Sequence, residues 1–342
     1  MAQHSKVLLI YTGGTIGMVN DPQTGQLTAV DFGDVYKHIP ELAHLQINLT
    51  TQAFSNPIDS SEMNPKRWTE IAELIYNNYT AFDGFVILHG SDTMAFSASA
   101  LSFMLQGLKK PVIFTGSQLP IGTIRTDGKE NLITAIEIAA AKNDQGESMI
   151  QEVAIYFEYS LYRGNRTSKV SASSFEAFRS PNIRPIAVAG VHIDYATNSF
   201  EKPASLELFT AFEQSVVLIK LFPGLPWKNY ESLFDTNRVK AVVLETYGSG
   251  NAPSDEEFHH LIMDFIAKGG IVLNITQCST GYVDQGKYKA SSFFAASGVL
   301  SGFDLTTEAA VTKTMYALGK SNGNRDQAVA ILQKALCGEM TI

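Results

Sequence analysis

Short apolar runs alternate along most of the chain with stretches whose apolar residues recur at helical spacing. This pattern predicts an α/β protein built on a largely parallel sheet. Val7–Tyr11, Phe85–His89, Val112–Thr115 and Val153–Phe157 are apolar throughout instead of alternating with polar residues, as expected of strands covered on both faces. Between them, Asn64 followed by Pro65 has the order of a helix cap and first-turn proline, and Trp68, Ile71, Ala72 and Ile75 form the inward stripe. Further helices are predicted from Thr93 to Leu105, stopping near Gly107, and from Asp127 to about Lys142.

The second half repeats this grammar. Val216–Leu221, Val242–Leu244 and Ile271–Ile275 read as buried strands. Ser254-Asp255-Glu256-Glu257 reads as a capping box opening a helix with Phe258, Leu261, Ile262, Phe265 and Ile266 inward, which Gly269-Gly270 stops. Helices near Thr307–Leu318 and Asp326–Leu336 complete the chain. From about Arg184 to Pro203, prolines and broken periodicity mark a connection. The expected organisation is a larger N-terminal α/β domain over 1–190, with a mainly parallel open sheet and helices on both faces. A connection over 191–212 and a smaller C-terminal α/β domain over 213–342 follow.

Composition narrows the class. A length of 342 residues fits about two domains. The net charge of −8 and the lack of a basic run argue against a nucleic-acid partner. Charged residues make up 18% of the chain, against about 25% in ordinary soluble proteins. No apolar run approaches the ~18 residues of a membrane span. Surface hidden between subunits is one cause of such a shortage, because interface cores are depleted in Lys, Glu and Asp. Cys278 and Cys337 are too few for a disulfide framework and form no zinc-binding pair. Met1 to Lys6 run directly into the first apolar strand, without a signal-peptide pattern. Together these features predict a cytoplasmic protein.

Open parallel sheets bind ligands beyond the carboxyl ends of their strands, and hydroxyls and glycines cluster there. Thr12-Gly13-Gly14-Thr15-Ile16-Gly17 follows the first strand, Gly90-Ser91-Asp92-Thr93 a later one, and Gly116-Ser117-Gln118 the next. Asp59-Ser60-Ser61, ahead of the Asn64 helix, belongs to the same rim. The first motif could be a phosphate cradle or a plain tight turn, but it lacks both the P-loop lysine and the dinucleotide glycine register. The turn formers Asn20-Asp21-Pro22 and Thr24-Gly25 that follow suggest a flap over a small ligand. Asp92 reads equally well as a helix N-cap, a task Ser91 could share. His89, ending an apolar strand, reads more naturally as a satisfied core histidine than as a catalyst. Lys169 is by default a solvated loop lysine and gains interest only beside a partner such as Asp92. No Gly-x-Ser-x-Gly elbow or His-Glu-x-x-His cluster is present, so neither an α/β-hydrolase triad nor a metal centre is indicated.

Taken in order, Thr12-Gly13-Gly14-Thr15-Ile16, Asp59-Ser60-Ser61, His89-Gly90-Ser91-Asp92-Thr93-Met94, Thr115-Gly116-Ser117-Gln118, the stretch from Arg163 to Lys169, and Tyr247-Gly248-Ser249-Gly250-Asn251 resemble the bacterial cytoplasmic (type I) L-asparaginases over essentially the whole chain. The resemblance implies hydrolysis of L-asparagine to L-aspartate and ammonia, without cofactor or metal. Thr15 matches the family's nucleophile, and Ser91, Asp92 and Lys169 match its proton-relaying group. Asp59, Ser60 and Ser61, with Asp92, match the positions that grip the substrate's charged α-groups. Glutamine is longer by one methylene, which an apolar contact discriminates by only about 1–3 kcal/mol, so a weak glutaminase activity is implied too. The family forms dimers of dimers, so a homotetramer is implied.

This chain departs from the family in three places. Ser91 stands where a threonine is usual, keeping the hydroxyl but losing the methyl that stiffens the rotamer. The segment from Met18 to Val30 holds no tyrosine to orient the nucleophile; Tyr288 matches a C-terminal tyrosine used instead in some relatives. Where regulated members carry an arginine for a second asparagine site, this chain has Glu245, although Ser168 and Cys278 match the rest of that site. Two other readings are an amidohydrolase of another substrate and an asparagine or aspartate sensor with little turnover.

Overall fold

The computed structural model describes residues 4–20, 27–29, 39–196, 200–286 and 289–342. The chain divides into two units, Met1–Leu208 and Phe209–Ile342. In the first, five parallel strands, β1 (Ser5–Tyr11), β2 (Ile47–Ala53), β3 (Gly84–Leu88), β4 (Val112–Thr115) and β5 (Val153–Phe157), lie in the spatial order β2-β1-β3-β4-β5. Three antiparallel strands, β6 (Ser160–Arg163), β7 (Ala187–Ala189) and β8 (Ile193–Tyr195), extend the sheet beyond β5.

Both faces of the parallel strands are buried, as their continuous apolar sequences require. On one face Val7, Leu9, Val86, Leu88 and Ile113 pack against Leu132, Ala135, Ile136 and Ala139 of the helix Gly128–Ala140. The alternate residues Leu8, Ile10, Phe85, Ile87 and Phe114 are equally buried. The helix α1 (Pro65–Asn78) begins as its sequence predicts: the Asn64 side chain accepts from the amides of Lys66 and Arg67, and Trp68, Ile71, Ala72 and Ile75 are its buried residues. It packs on α2 (Met94–Met104), which lies against β5; the helix Gly128–Ala140 is α3.

The second unit holds four parallel strands in sequential order, β9 (Val216–Lys220), β10 (Ala241–Thr246), β11 (Ile271–Thr276) and β12 (Leu300–Ser301). Alternation along β10 and β11 divides two cores. Val242, Leu244 and Val272 meet Phe258, Ile262 and Phe265 of α4 (Glu256–Ala267), whereas Val243, Leu273 and Ile275 meet Ala309, Ala310 and Ala317 of a C-terminal helix. A helix over Lys289–Ser297 is α5, this C-terminal helix (Thr307–Lys320) is α6, and Arg325–Leu332 is α7.

The structure differs from the sequence reading in several respects: β2 is not among the predicted strands, and the last helix, expected over Asp326–Leu336, spans Arg325–Leu332. The helix α4 is capped by Asp255, which accepts from the Phe258 amide, one residue later than the Ser254 box predicts. Much of the segment expected to connect the domains belongs to the first unit: β7 and β8 form its sheet edge, and Glu207–Leu208 pairs with Leu105–Gln106. Their short and mixed apolar pattern reads as loop because each of these strands is only two or three residues long.

Candidate active site

In the order β2-β1-β3-β4 the chain leaves β1 toward β2 on one side and leaves β3 toward β4 on the other, and the crevice at such a reversal lies between the carboxyl ends of β1 and β3. Thr12 continues from β1, with its amide (3.0 Å) and hydroxyl (2.9 Å) both donating to the Leu88 carbonyl at the end of β3. Gly13 and Gly14 then take φ values of +133° and +92°, left-handed conformations that side chains resist. A Cβ on Gly14 would stand 2.6 Å from the Gly90 nitrogen, and one on Gly90 would stand 2.6 Å from Ser60 Oγ. The loops carrying Thr15, Ser91 and Ser60 are thus in direct contact through glycines. Thr15 opens a single helical turn, Thr15–Gly17; it is half-buried, while Ile16 beside it is fully buried and anchors the turn.

The two readings of Asp92 are separated by the hydrogen bonds. The N-cap position of α2 is Thr93, and no side chain caps the helix. The Thr93 hydroxyl instead donates to the Ser60 carbonyl at 2.6 Å. Asp92 is left to pair with Lys169, whose Nζ lies 2.6 Å from its carboxylate and 2.8 Å from Ser91 Oγ. Lys169 comes from a two-residue strand, Ser168–Lys169, paired with Phe178–Arg179. Only 16% of its side chain is exposed, against 68% for Asp92, so this lysine is not the solvated one expected by default.

Asp59 caps the short turn Ser60–Glu62, accepting from the Ser61 amide at 2.8 Å. The hydrogen bonds from the Ser61 amide and hydroxyl hold its carboxyl below the usual range, so it stays ionised. Asp59 and Ser61 are exposed and Ser60 is buried.

His89 is a core histidine. It is enclosed on all sides, its Nδ1 faces the Gly90 carbonyl at 2.7 Å and its Nε2 the Ser97 hydroxyl at 2.9 Å. Trp68 Nε1 donates to Ser97 Oγ, so the serine proton points to His89 Nε2 and the imidazole proton resides on Nδ1. Burial lowers its pKa to about 4.

Two residues of this rim are given no role in it by the sequence reading, which quotes Gln118 only as part of a strand-end motif. Gln118 accepts from the Ser91 hydroxyl at 3.2 Å. Asp127, read as a helix start, turns its carboxylate back to the amides of Gln118 and Leu119 at 2.9–3.1 Å. The available signal was the position of Gln118 directly behind Gly116-Ser117 at a strand end. A cavity of about 940 Å³ opens beside Gln118, lined also by Leu119, Ile124, Arg125 and Phe175.

Of the remaining predicted residues, Tyr288 and most of the segment from Met18 to Val30 lie outside the described residues. Ser168, in the first unit, is half-buried. Cys278, in the second, is exposed and donates its amide to Thr276 Oγ. Glu245 is buried in β10, accepting from the Thr307 hydroxyl at 2.5 Å and pairing with Lys220 at 3.2 Å. Tyr247 and Asn251 bond each other's backbone at 2.8 and 2.9 Å, closing a tight turn. Among the described residues, no group of three His, Cys, Asp or Glu side chains is placed to hold a metal.

Comparison with known proteins gives this arrangement a family. The model described as "Asparaginase, N-terminal" matches residues 6–201, and that described as "Glutaminase/Asparaginase C-terminal domain" matches residues 215–332. The chain belongs to the asparaginase family. It is 38% identical over 355 residues to L-asparaginase 1 of Escherichia coli, covering 99% of both chains. The crystal structure of L-asparaginase I from Vibrio cholerae superposes with a TM-score of 0.88 at 37% identity, covering 99% of this chain and 100% of that one. The mouse 60 kDa lysophospholipase is 36% identical over 367 residues, which span all of this chain and 64% of that protein.

Proposed function

We propose that this protein is an L-asparaginase, hydrolysing L-asparagine to L-aspartate and ammonia through an acyl-enzyme on Thr15. The observation that carries the reading is the Lys169–Ser91–Asp92 group, held on the loop that Gly90 packs directly against Gly14, the neighbour of Thr15. An amide resists direct attack by water, so two easier steps replace one. In the first, Thr15 Oγ bonds to the side-chain amide carbon and loses its proton. Backbone N–H groups around Ser91 and Asp92 stabilise the oxyanion, and protonation of the amide nitrogen lets the C–N bond break and ammonia leave. In the second, water attacks the threonine ester and Thr15 recovers its proton. Ser91 passes protons in both steps, with Lys169 and Asp92 setting the state of its hydroxyl.

In this reading Ser60 and Ser61 hold the α-carboxylate. Asp59, ionised through its bonds from Ser61, meets the α-ammonium together with Asp92. Glutamine is turned over more slowly. The protein acts in the cytoplasm as a homotetramer; the low content of charged residues and the fully exposed Ile124 and Val191 support an assembly. A single monomeric species in light scattering would count against it.

The decisive measurement is ammonia release from L-asparagine at neutral pH. Turnover by the natural chain, and its loss in Thr15→Ala with unchanged circular dichroism, is the expected result. Full activity in Thr15→Ala would move the nucleophile elsewhere.

A further inference from the structure

The Ser91 hydroxyl has two neighbours, and only one of them belongs to the proton-relaying group. Lys169 Nζ carries only donors, so its 2.8 Å contact places a Ser91 lone pair on the lysine. The hydroxyl's own hydrogen then points to its second neighbour, Gln118 Oε1, at 3.2 Å. The orientation of the Gln118 amide is fixed independently. Its Nε2 lies 3.0 Å from the Ser174 carbonyl, which can only accept, so Oε1 must face Ser91. The Gln118 backbone is fixed as well: its amide donates to the Asp127 carboxylate at 2.9 Å, and Asn131 Nδ2 ties Asp127 (3.3 Å) to the Gly116 carbonyl (3.0 Å).

These contacts close a ring. From Ser91 the path runs to Lys169, along the chain through the turn that Ser171 Oγ ties by the amides of Ser173 and Ser174, across to Gln118 and back to Ser91. The ring matters because residue 91 is a serine. A threonine's branched Cβ restricts χ1 by itself, whereas serine samples three staggered wells with little to choose between them.

We propose that Gln118 is a positioning residue: it holds the Ser91 hydroxyl in the rotamer that touches Lys169, supplying from outside the rigidity a γ-methyl would supply from within. The proposal rests on the asparaginase reading for its kinetic consequence but not for its geometric one.

The test is a cycle of Gln118→Leu, Ser91→Thr and the double variant, assayed on L-asparagine. Leucine keeps the backbone amide on Asp127 and removes the acceptor. With Ser91 in place, Gln118→Leu is expected to lower kcat roughly 10- to 30-fold with KM changed less than about twofold, the pattern of a misplaced reacting group. In the Ser91→Thr background, whatever rate that change itself sets, the same substitution is expected to cost less than about threefold. Equal losses in the two backgrounds, or a loss confined to KM, would overturn the proposal. Crystal structures read the geometry independently of turnover. Ser91 Oγ beyond about 3.5 Å from Lys169 Nζ in Gln118→Leu supports the assignment, and an unmoved hydroxyl refutes it. If the natural chain released no ammonia, the asparaginase reading would fail while this structural arm still decided the role of Gln118.

Discussion

In the N-terminal unit Lys169 meets Asp92 at 2.6 Å, with the carboxylate 68% exposed; in the C-terminal unit Lys313 meets Glu339 at 2.8 Å, with both side chains fully enclosed. Lys313 also donates to the carbonyls of Leu332 and Lys334 at 3.0 and 2.7 Å. Glu339 accepts from the amides of Leu336 and Cys337 at 3.0 and 2.8 Å. These contacts tie the last residues of the chain to α6. Lys169 instead donates to a hydroxyl and to a solvent-reachable carboxylate, the surroundings that the proposed proton relay needs. Pair length does not separate the two lysines; the identity and exposure of their partners do.

That contrast can be broken from either side. If Lys169 belongs to the proton relay as proposed, Lys169→Met is expected to lower turnover of L-asparagine about 10³- to 10⁴-fold, as loss of an acid–base group does. It should leave urea stability within about 1 kcal/mol, because the partner carboxylate is exposed; strong destabilisation would make the pair structural. Lys313→Met should do the reverse, costing about 3–5 kcal/mol by stranding a buried carboxylate. The folded fraction should keep its activity. The double variant Lys313→Met/Glu339→Leu should recover only part of the loss, because the Leu336 and Cys337 amides then lack an acceptor.

His89 gives a third kind of buried base, one kept neutral. Its folded pKa, lowered to about 4 by burial, lies below its unfolded value, so the unfolded chain binds the extra proton first. Stability should be fully present above about pH 6.5 and fall as the pH drops toward 4, by up to roughly 3 kcal/mol. Urea titrations across that range check this, and a His89→Gln variant should show a flatter profile. The smallest effect belongs to Lys268–Asp264, an i,i+4 pair exposed on both sides, where Lys268→Ala should change stability by less than about 0.5 kcal/mol.

Much of this fold is legible in the sequence because its strands are buried on both faces and its first helix is capped by adjacent residues. Val112–Thr115 and the Asn64-Pro65 start need no long-range information. The hairpin edge of β6, β7 and β8 was not legible, since its strands are short and its β5–β6 turn places Glu158 and Tyr159 at positive φ without a glycine to announce it. At the site, the strand-end hydroxyls could be read, but the choice between cap and ion pair at Asp92 could not. It depends on Thr93 reaching Ser60, 33 positions away in the chain. Gln118 could be placed on the rim but its role could not be read, because that role is defined by Ser91 and Ser174, which only the folded chain brings together.

The glycines beneath these groups carry a consequence for how such a site can change over generations. A Cβ on Gly14 would press on Gly90 and one on Gly90 would press on Ser60, so a side chain at either glycine must displace the next loop. The three loops are therefore expected to change together, if they change at all. Under the proposed reading, a change of substrate preference is easier to reach through the side chains these loops carry, where one replacement leaves the packing of its neighbours in place.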